Sequence, residues 1–588
     1  MDAIGSPPAT SLVWETHDTI DVSDALVASM AAGGVDHLFF TSGAEIVFYQ
    51  EAIARAQADG KPTPRLITMP HEHTSLNAAL GYAAVSGRPA ATAAHVDAGT
   101  LNYGGAIHTA WRSGLPVLIT AGGGPASYPG TMPGARDGGG HIWMQQQYDQ
   151  NGIVRQYTKW DHRLEYQDNA GLIVSRALQV AMTEPRGPVY LTIPKEIALL
   201  PARTATYPTL AQLAVPRPAA PDADGIRELA ERLVAARNPV LVVAGSGRNL
   251  ATVPELVALC ELLGIAVCYA SPPAYLSFPM KHPLRVLPAA INTADVVVAL
   301  EANVPWIPGA NEPPAGAFVA YIHSDPAQYR IPTYEFGANL RLTGDPLATI
   351  RALGAAASDL RSSSDRSRIA QRIADLTARA HERSASIEAD AQSRATATPI
   401  DPLWLSYHIG QLVDDNSIVI DETLVHNRLG QYMPSSRPGS YFRNPGSSGG
   451  WSPGAAFGAK LAAPERDVIA VAGDGYYMFG TANPALWAAH HYGAPYLHVI
   501  YQNRSWSTGT LRIDSTYKDS AAARGGYDGG YFDPPIDFAA EAAAAGAYGE
   551  NVRNPQDVGP ALRRGLEQTR NGKPAVISVW LAKFLSED

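Results

Sequence analysis

An α/β protein made of three doubly wound parallel-sheet domains is predicted by three features of the chain. Short apolar runs alternate with amphipathic stretches at helical spacing, the pattern that lays parallel strands side by side with helices on both faces. This alternation recurs in three blocks. Two stretches of different composition separate them: 201–224 is rich in Pro and Ala, and 354–398 is charged and rich in Ser and Ala. The domains are therefore read as 1–200, 225–353 and 399–588, with 201–224 a linker and 354–398 a connector.

In the first block the spacing predicts an amphipathic helix over 22–32, strands over 37–40 and 65–68, a helix over 75–85, and strands over 90–94 and 117–121. The second block carries apolar, β-branched-rich runs at 240–243, 266–269, 296–300 and 319–322, continuous rather than alternating, as strands covered on both faces are. Residues 361–394 form a charged helical connector. In the third block, strands are expected at 418–420, 467–472 and 496–501, and Leu486, Ala489, His490 and Gly493 place a helix between the last two.

Of the 588 residues, 46% are hydrophobic and 17% charged, the balance of a globular protein. A net charge of −10 with no basic cluster repels a phosphate backbone, which excludes nucleic acid as a partner. Cys260 and Cys268 sit in an apolar stretch and are read as buried free thiols. No run of about 18 apolar residues occurs and 1–18 lacks a basic start followed by an apolar core, so no membrane partner and a cytoplasmic location are expected.

The motif richest in chemistry is Gly473-Asp474-Gly475, at the end of one predicted strand, answered by Asn503 at the end of the next. Strand, helix, strand sets Asp474 and Asn503 at neighbouring carboxyl ends, where open α/β sheets bind ligands. An Asp carboxylate, an Asn carbonyl and a backbone carbonyl, assigned to Ser505, are the hard oxygen ligands that Mg²⁺ takes while it holds phosphates. The flanking glycines allow the backbone to approach a diphosphate.

This arrangement resembles the cofactor-anchoring motif of the thiamine diphosphate enzymes. The three-block order is similar to that of their acetolactate synthase, benzoylformate decarboxylase and benzaldehyde lyase branch: pyrimidine-binding, middle and diphosphate-binding domains. The resemblance implies that Glu72, in His71-Glu72-His73, supports the cofactor's pyrimidine ring. It also implies that His95, in His95-Val96-Asp97-Ala98-Gly99-Thr100, transfers protons. Thr423 and His426 in Asp421-Glu422-Thr423-Leu424-Val425-His426, together with Gly473, Asp474, Gly475, Tyr476 and Asn503, would meet the diphosphate. Ser447 would accept from the cofactor's amine, and Gly449 stands where the family places a bulky wedge, a role that Trp451 takes or that a shifted alignment restores.

Ala44 replaces a substrate-contacting Ser, and the adjacent Glu45 is either a second acid/base or a repellent for carboxylated substrates. The substrate pocket is read from 43–48, Tyr103, 122–147, Tyr477 and the stretch after Asn503, with 504–535 as a cover. Glu301-Ala302-Asn303-Val304-Pro305-Trp306 lacks the flavin-binding residues of true acetolactate synthases, so FAD is not expected. Gly245-Ser246-Gly247 is a weak dinucleotide signal, more often a plain strand-to-helix turn.

The implied activity is a thiamine diphosphate- and Mg²⁺-dependent carbon–carbon lyase or carboligase acting on a 2-oxo acid or acyloin through a cofactor-bound enamine, in a homodimer or homotetramer with sites at the subunit interface. Alternatives are an acetolactate synthase-like transferase without FAD, a 2-hydroxyacyl-CoA lyase or oxalyl-CoA-type decarboxylase, and an inactive regulatory subunit.

Overall fold

The computed structural model describes residues 13–137, 139–270, 274–424, 428–446 and 448–585. The chain forms two compact units. The first takes residues up to 217 together with 446–463 and 479–492; the second takes the remainder.

In the first unit, β1 (Glu15–Asp18) pairs antiparallel with a late strand, and a six-stranded parallel sheet follows. Its strands are β2 (His37–Phe40), β3 (Arg65–Thr68), β4 (Ala90–Ala94), β5 (Val117–Gly123), β6 (Trp160–Arg163) and β7 (Val189–Pro194), in the spatial order β3-β2-β4-β5-β7-β6. β8 (Thr204–Tyr207) is the partner of β1, so the stretch read as a linker contains a paired strand. The apolar faces of β2, β4, β5 and β7 close over Leu26, Met30, Leu118, Val174 and Leu178, all essentially buried.

Helix Trp451–Ala462 lies against helix Glu72–Ser86 in this unit. The contact is so close that an added Cβ at Gly458 would stand 1.9 Å from the Ala78 carbonyl oxygen, and one at Gly81 would stand 2.1 Å from that of Ala455. Small residues on both helices are what permit the backbones to meet.

The second unit holds two parallel sheets. One contains β9 (Pro239–Val243), β10 (Ala266–Tyr269), β11 (Val296–Leu300), β12 (Phe318–His323) and β13 (Leu340–Thr343), in the order β10-β9-β11-β12-β13. Gly245-Ser246-Gly247 forms a tight turn after β9, where an added Cβ at Gly247 would meet the Leu276 carbonyl at 2.2 Å. Backbone packing accounts for that glycine, as a plain strand-to-helix turn would have it. Helix Ser363–Gln392 occupies the stretch read as a connector; its Ser362 capping box closes the first turn. Both cysteines are buried and free.

The other sheet has the order β15-β14-β16-β17-β19-β18, from β14 (Ser417–Glu422), β15 (Tyr441–Arg443), β16 (Asp467–Gly473), β17 (Leu497–Gln502), β18 (Tyr548–Val552) and β19 (Ala575–Trp580). Every pair in the three large sheets is parallel. Among the described residues no helix is long and apolar enough to cross a membrane.

Candidate active site

At the carboxyl ends of β14, β16 and β17 a cavity is lined by Thr423, Gly473, Asp474, Gly475, Tyr476, Asn503 and Ser505, all singled out from sequence, and by Glu422, Leu424, Tyr501, Trp506, Ser507 and Thr508. Register explains the convergence. β16 pairs with both β14 and β17, so Glu422, Gly473 and Gln502 end at adjacent strand tips.

Asp474 is 2% exposed and forms no ion pair among the described residues. Its Oδ1 accepts from the Gly475 N–H at 2.8 Å and its Oδ2 from the Arg504 N–H at 2.5 Å. Burial pushes the carboxyl up to about 7, against the pull of these backbone donors. Asn503 Oδ1 accepts from the Ser505 N–H at 3.1 Å, while its amide donates to Ser507 Oγ at 2.8 Å, which fixes the amide orientation. Arg504, between these residues, has a left-handed φ of 57°. At Gly475 an added Cβ would lie 2.7 Å from the Trp506 ring, so only glycine lets the indole cover the backbone there.

The Thr423 turn is held from beneath. Asp421, fully buried, accepts from Thr423 N–H and Oγ1 at 2.8 and 2.7 Å, from Tyr441 OH at 2.5 Å and from Arg443 Nη1 at 3.1 Å. Arg443 also donates to the Thr423 carbonyl. Sequence reasoning missed Arg443; the only local signal was a cation at the end of an otherwise apolar strand.

Two pocket-wall expectations are corrected here. Tyr477 is no pocket wall: it is fully buried, with ring contacts to His498 and Phe538. The 504–535 stretch, read as a cover, contains helices Ser507–Thr516 and Ala521–Arg524, folds back so that Ser505 bridges to Tyr531, and lines the cavity with Trp506, Ser507 and Thr508. In the first unit, Tyr103 is fully buried, with its hydroxyl on Thr92 and the Thr120 carbonyl.

That unit gathers Glu72, His95 and Glu45. Glu72 opens helix Glu72–Ser86, is 9% exposed, and accepts from the Asn102 amide. His95 follows β4, and an added Cβ at Gly43 would touch its side chain at 2.4 Å, so Gly43 makes room for the ring. Burial lowers the imidazole pKa, with His141 and Lys195 acting in the same sense and Asp97 and Glu72 opposing. Its Nε2 is buried without a partner among the described residues. The next residue, Val96, carries φ of 27°, strained for a β-branched side chain and typical of sites where geometry is imposed.

Glu45, 2% exposed, pairs with Lys195 Nζ at 3.0 Å, and Lys195 also donates to Asp137. Burial raises the Glu45 carboxyl and Lys195 opposes it. Lys195 was missed from sequence, although a charged residue directly after β7 was a signal. Gly449 is half-buried, and Trp451 is buried at the start of its helix. His426 and Ser447 lie outside the described residues.

Known proteins show similarity to both halves. The profile described as thiamine pyrophosphate enzyme, N-terminal TPP binding domain matches residues 20–153, and the corresponding C-terminal TPP binding domain matches 425–579. Benzoylformate decarboxylase of Pseudomonas aeruginosa is 29% identical over 87% of this chain and 90% of its own length. Sulfoacetaldehyde acetyltransferase of Rhodobacter capsulatus is 26% identical over 96% of this chain and 95% of its own. The structure of a thiamine diphosphate-dependent 4-hydroxybenzoylformate decarboxylase from Rhodococcus jostii RHA1 aligns with a TM-score of 0.75 at 22% identity, covering 96% of this chain and all of that one.

Proposed function

The chain belongs to the thiamine diphosphate enzymes, a carbon–carbon lyase or carboligase by its relatives, and from that premise we propose that it acts on a 2-oxo acid or acyloin with Mg²⁺ as the metal. The observation that carries this reading is Asp474, a carboxyl group buried without a cation among the described residues in the cavity it lines with Asn503. Such a group favours a hard divalent ion that would offset its charge. Asp474, Asn503 and the Ser505 carbonyl would hold the metal. Thr423, Gly473, Gly475 and Tyr476 would border the diphosphate, with His426, Ser447 and Gly449 completing the cofactor contacts.

Bound thiamine diphosphate supplies a carbon nucleophile and an electron sink for the bond next to the carbonyl. The chain's own residues do the rest. Glu72 presents a carboxylate to a ring nitrogen, and the Asn102 amide orients it. His95, uncharged near neutral pH because burial lowers its pKa, is poised to take or return a proton at Nε2. Glu45 reaches the site as an ion pair, so Lys195 offsets the charge that would repel a carboxylated substrate.

By likeness to the family the carboxylate and phosphate halves come from different subunits, which makes a homodimer the smallest active unit and a homotetramer its dimer of dimers. The transferase among the relatives, similar over nearly the whole chain, supports ligation to an acceptor as the second arm.

Turnover of pyruvate, benzoylformate and aromatic acyloins by wild type and Glu72→Gln, beside a cofactor titration, tests the reading. The expected result is cofactor binding close to wild type with turnover largely lost. Near wild-type turnover would refute the assignment.

A further inference from the structure

Residues 280–287 read Met-Lys-His-Pro-Leu-Arg-Val-Leu, with three basic or imidazole side chains in a chain of net charge −10. They fold beside the connector, helix Ser363–Gln392. There Lys281, His282 and Arg285 line a cavity with Arg383 and Ser384 of the helix and Gln431 of the short helix Leu429–Tyr432. The two guanidiniums are fixed by backbone. Arg285 Nη1 donates to the carbonyls of Met280 and Gly430 at 2.7 and 3.0 Å, and Arg383 Nη2 donates to the Arg285 carbonyl at 2.6 Å.

These bonds occupy one nitrogen of each fork. The remaining donors, Arg285 Nε and Nη2, Arg383 Nε and Nη1, and Lys281 Nζ, have no protein acceptor among the described residues. The carboxylate at the rim, Glu261, is taken by His282 at 3.3 Å. No other ion pair compensates the three cations among the described residues, and burial holds both arginines below their ordinary pKa.

Two half-buried guanidiniums beside the exposed Lys281, without a carboxylate partner among the described residues, are unfavourable, and an Arg fork matches an oxyanion in charge and in planar geometry. Carbonyl capping explains one nitrogen of each arginine, and the Tyr269 ring 5.7 Å from the Arg285 guanidinium offsets part of its charge, which leaves the remaining donors of both forks and the exposed Lys281 without a protein acceptor among the described residues. The geometry points to a binding site in this cavity for a tetrahedral oxyanion, as inorganic phosphate or as the terminal group of a small phosphate monoester. It joins the middle-sheet segment to the connector helix and is independent of the reaction proposed above.

The test uses enzyme saturated with thiamine diphosphate and Mg²⁺, so that the cofactor cavity is filled. Calorimetric titration and thermal denaturation are run with inorganic phosphate and with glycerol 3-phosphate, each against chloride at equal ionic strength. Saturable binding of one anion per chain with a rise in Tm is expected. Lys281→Gln and Arg383→Gln should each weaken it by about 10-fold, the effect of one lost charge-assisted hydrogen bond. Lys281 is exposed and makes no protein bond among the described residues, so its variant keeps the fold even if Arg383→Gln does not. Binding of both probes assigns the phosphate group as the ligand, and binding of inorganic phosphate alone assigns the free ion. No binding beyond chloride, or affinity unchanged in Lys281→Gln, overturns the site.

Discussion

In protein freed of metal and cofactor, Asp474 should make stability fall as pH rises. Its carboxyl moves from an ordinary 3.8 to about 7 because burial disfavours the charged form. A raised folded-state pKa favours folding fully below pH 3.8, and that contribution is lost as pH climbs through 7. The cost of ionising the group in place is about 4 kcal/mol by pH 8. Asp474→Asn removes the titration but also replaces an acceptor of the Arg504 N–H, an offset that does not vary with pH.

The quantity to measure is therefore the wild-type minus Asp474→Asn difference in unfolding free energy, from urea melts of metal-free protein between pH 4 and pH 8. Relative to the variant, wild type should lose about 4 kcal/mol across that interval. Adding Mg²⁺ and thiamine diphosphate should recover the loss in wild type alone. A difference flat within about 1 kcal/mol, where a shift of one pKa unit already corresponds to 1.36 kcal/mol, would refute the claim that this carboxylate is buried without a counter-ion.

His95→Ala should lower kcat by about 10²-fold, the scale of lost general acid–base catalysis, and leave cofactor affinity unchanged by fluorescence titration. Lys195→Met should destabilise by about 3 kcal/mol at pH 8 through an unpaired buried Glu45, and by less as pH falls, because burial raises the Glu45 carboxyl and Lys195 no longer opposes it; chemical denaturation of Lys195→Met and Lys195→Met/Glu45→Gln, the latter recovering part of the loss, checks this. Gly458→Ala should cost about 3 kcal/mol, because its methyl would overlap the Ala78 carbonyl; differential scanning calorimetry reads the loss.

The sheets were legible because their strands are continuous apolar runs, and β2, β3, β4, β10 and β11 fall where the period places them. β8 was hidden: its pairing with β1 joins residues nearly 190 apart, while local Pro and Ala content argued for a linker. The motif residues Asp474 and Asn503 were readable because one strand–helix–strand unit carries both. Pairs made across the fold were not. Lys195 and Glu45 stand 150 residues apart, and Arg443 acts on Thr423 both directly at its carbonyl and through Asp421. Tyr476 and Tyr477 show a subtler limit. Because 474–479 is helical, successive side chains point about 100° apart, so one borders the cavity and the next enters the core.

The glycine-mediated contact between helices Glu72–Ser86 and Trp451–Ala462 bears on how the polypeptide matures during synthesis. The first unit is discontinuous: its opening 217 residues are complete in sequence long before 446–463 emerges. Until then the face of helix Glu72–Ser86 around Ala78 and Gly81 has no covering partner from its own unit. A nascent chain would carry that small-residue surface while more than two hundred further residues are translated, a long-range dependence that slows folding and exposes it to aggregation or chaperone capture. A fragment ending at residue 217 should accordingly behave as a partly folded species, whereas supplying 446–492 in trans should complete it.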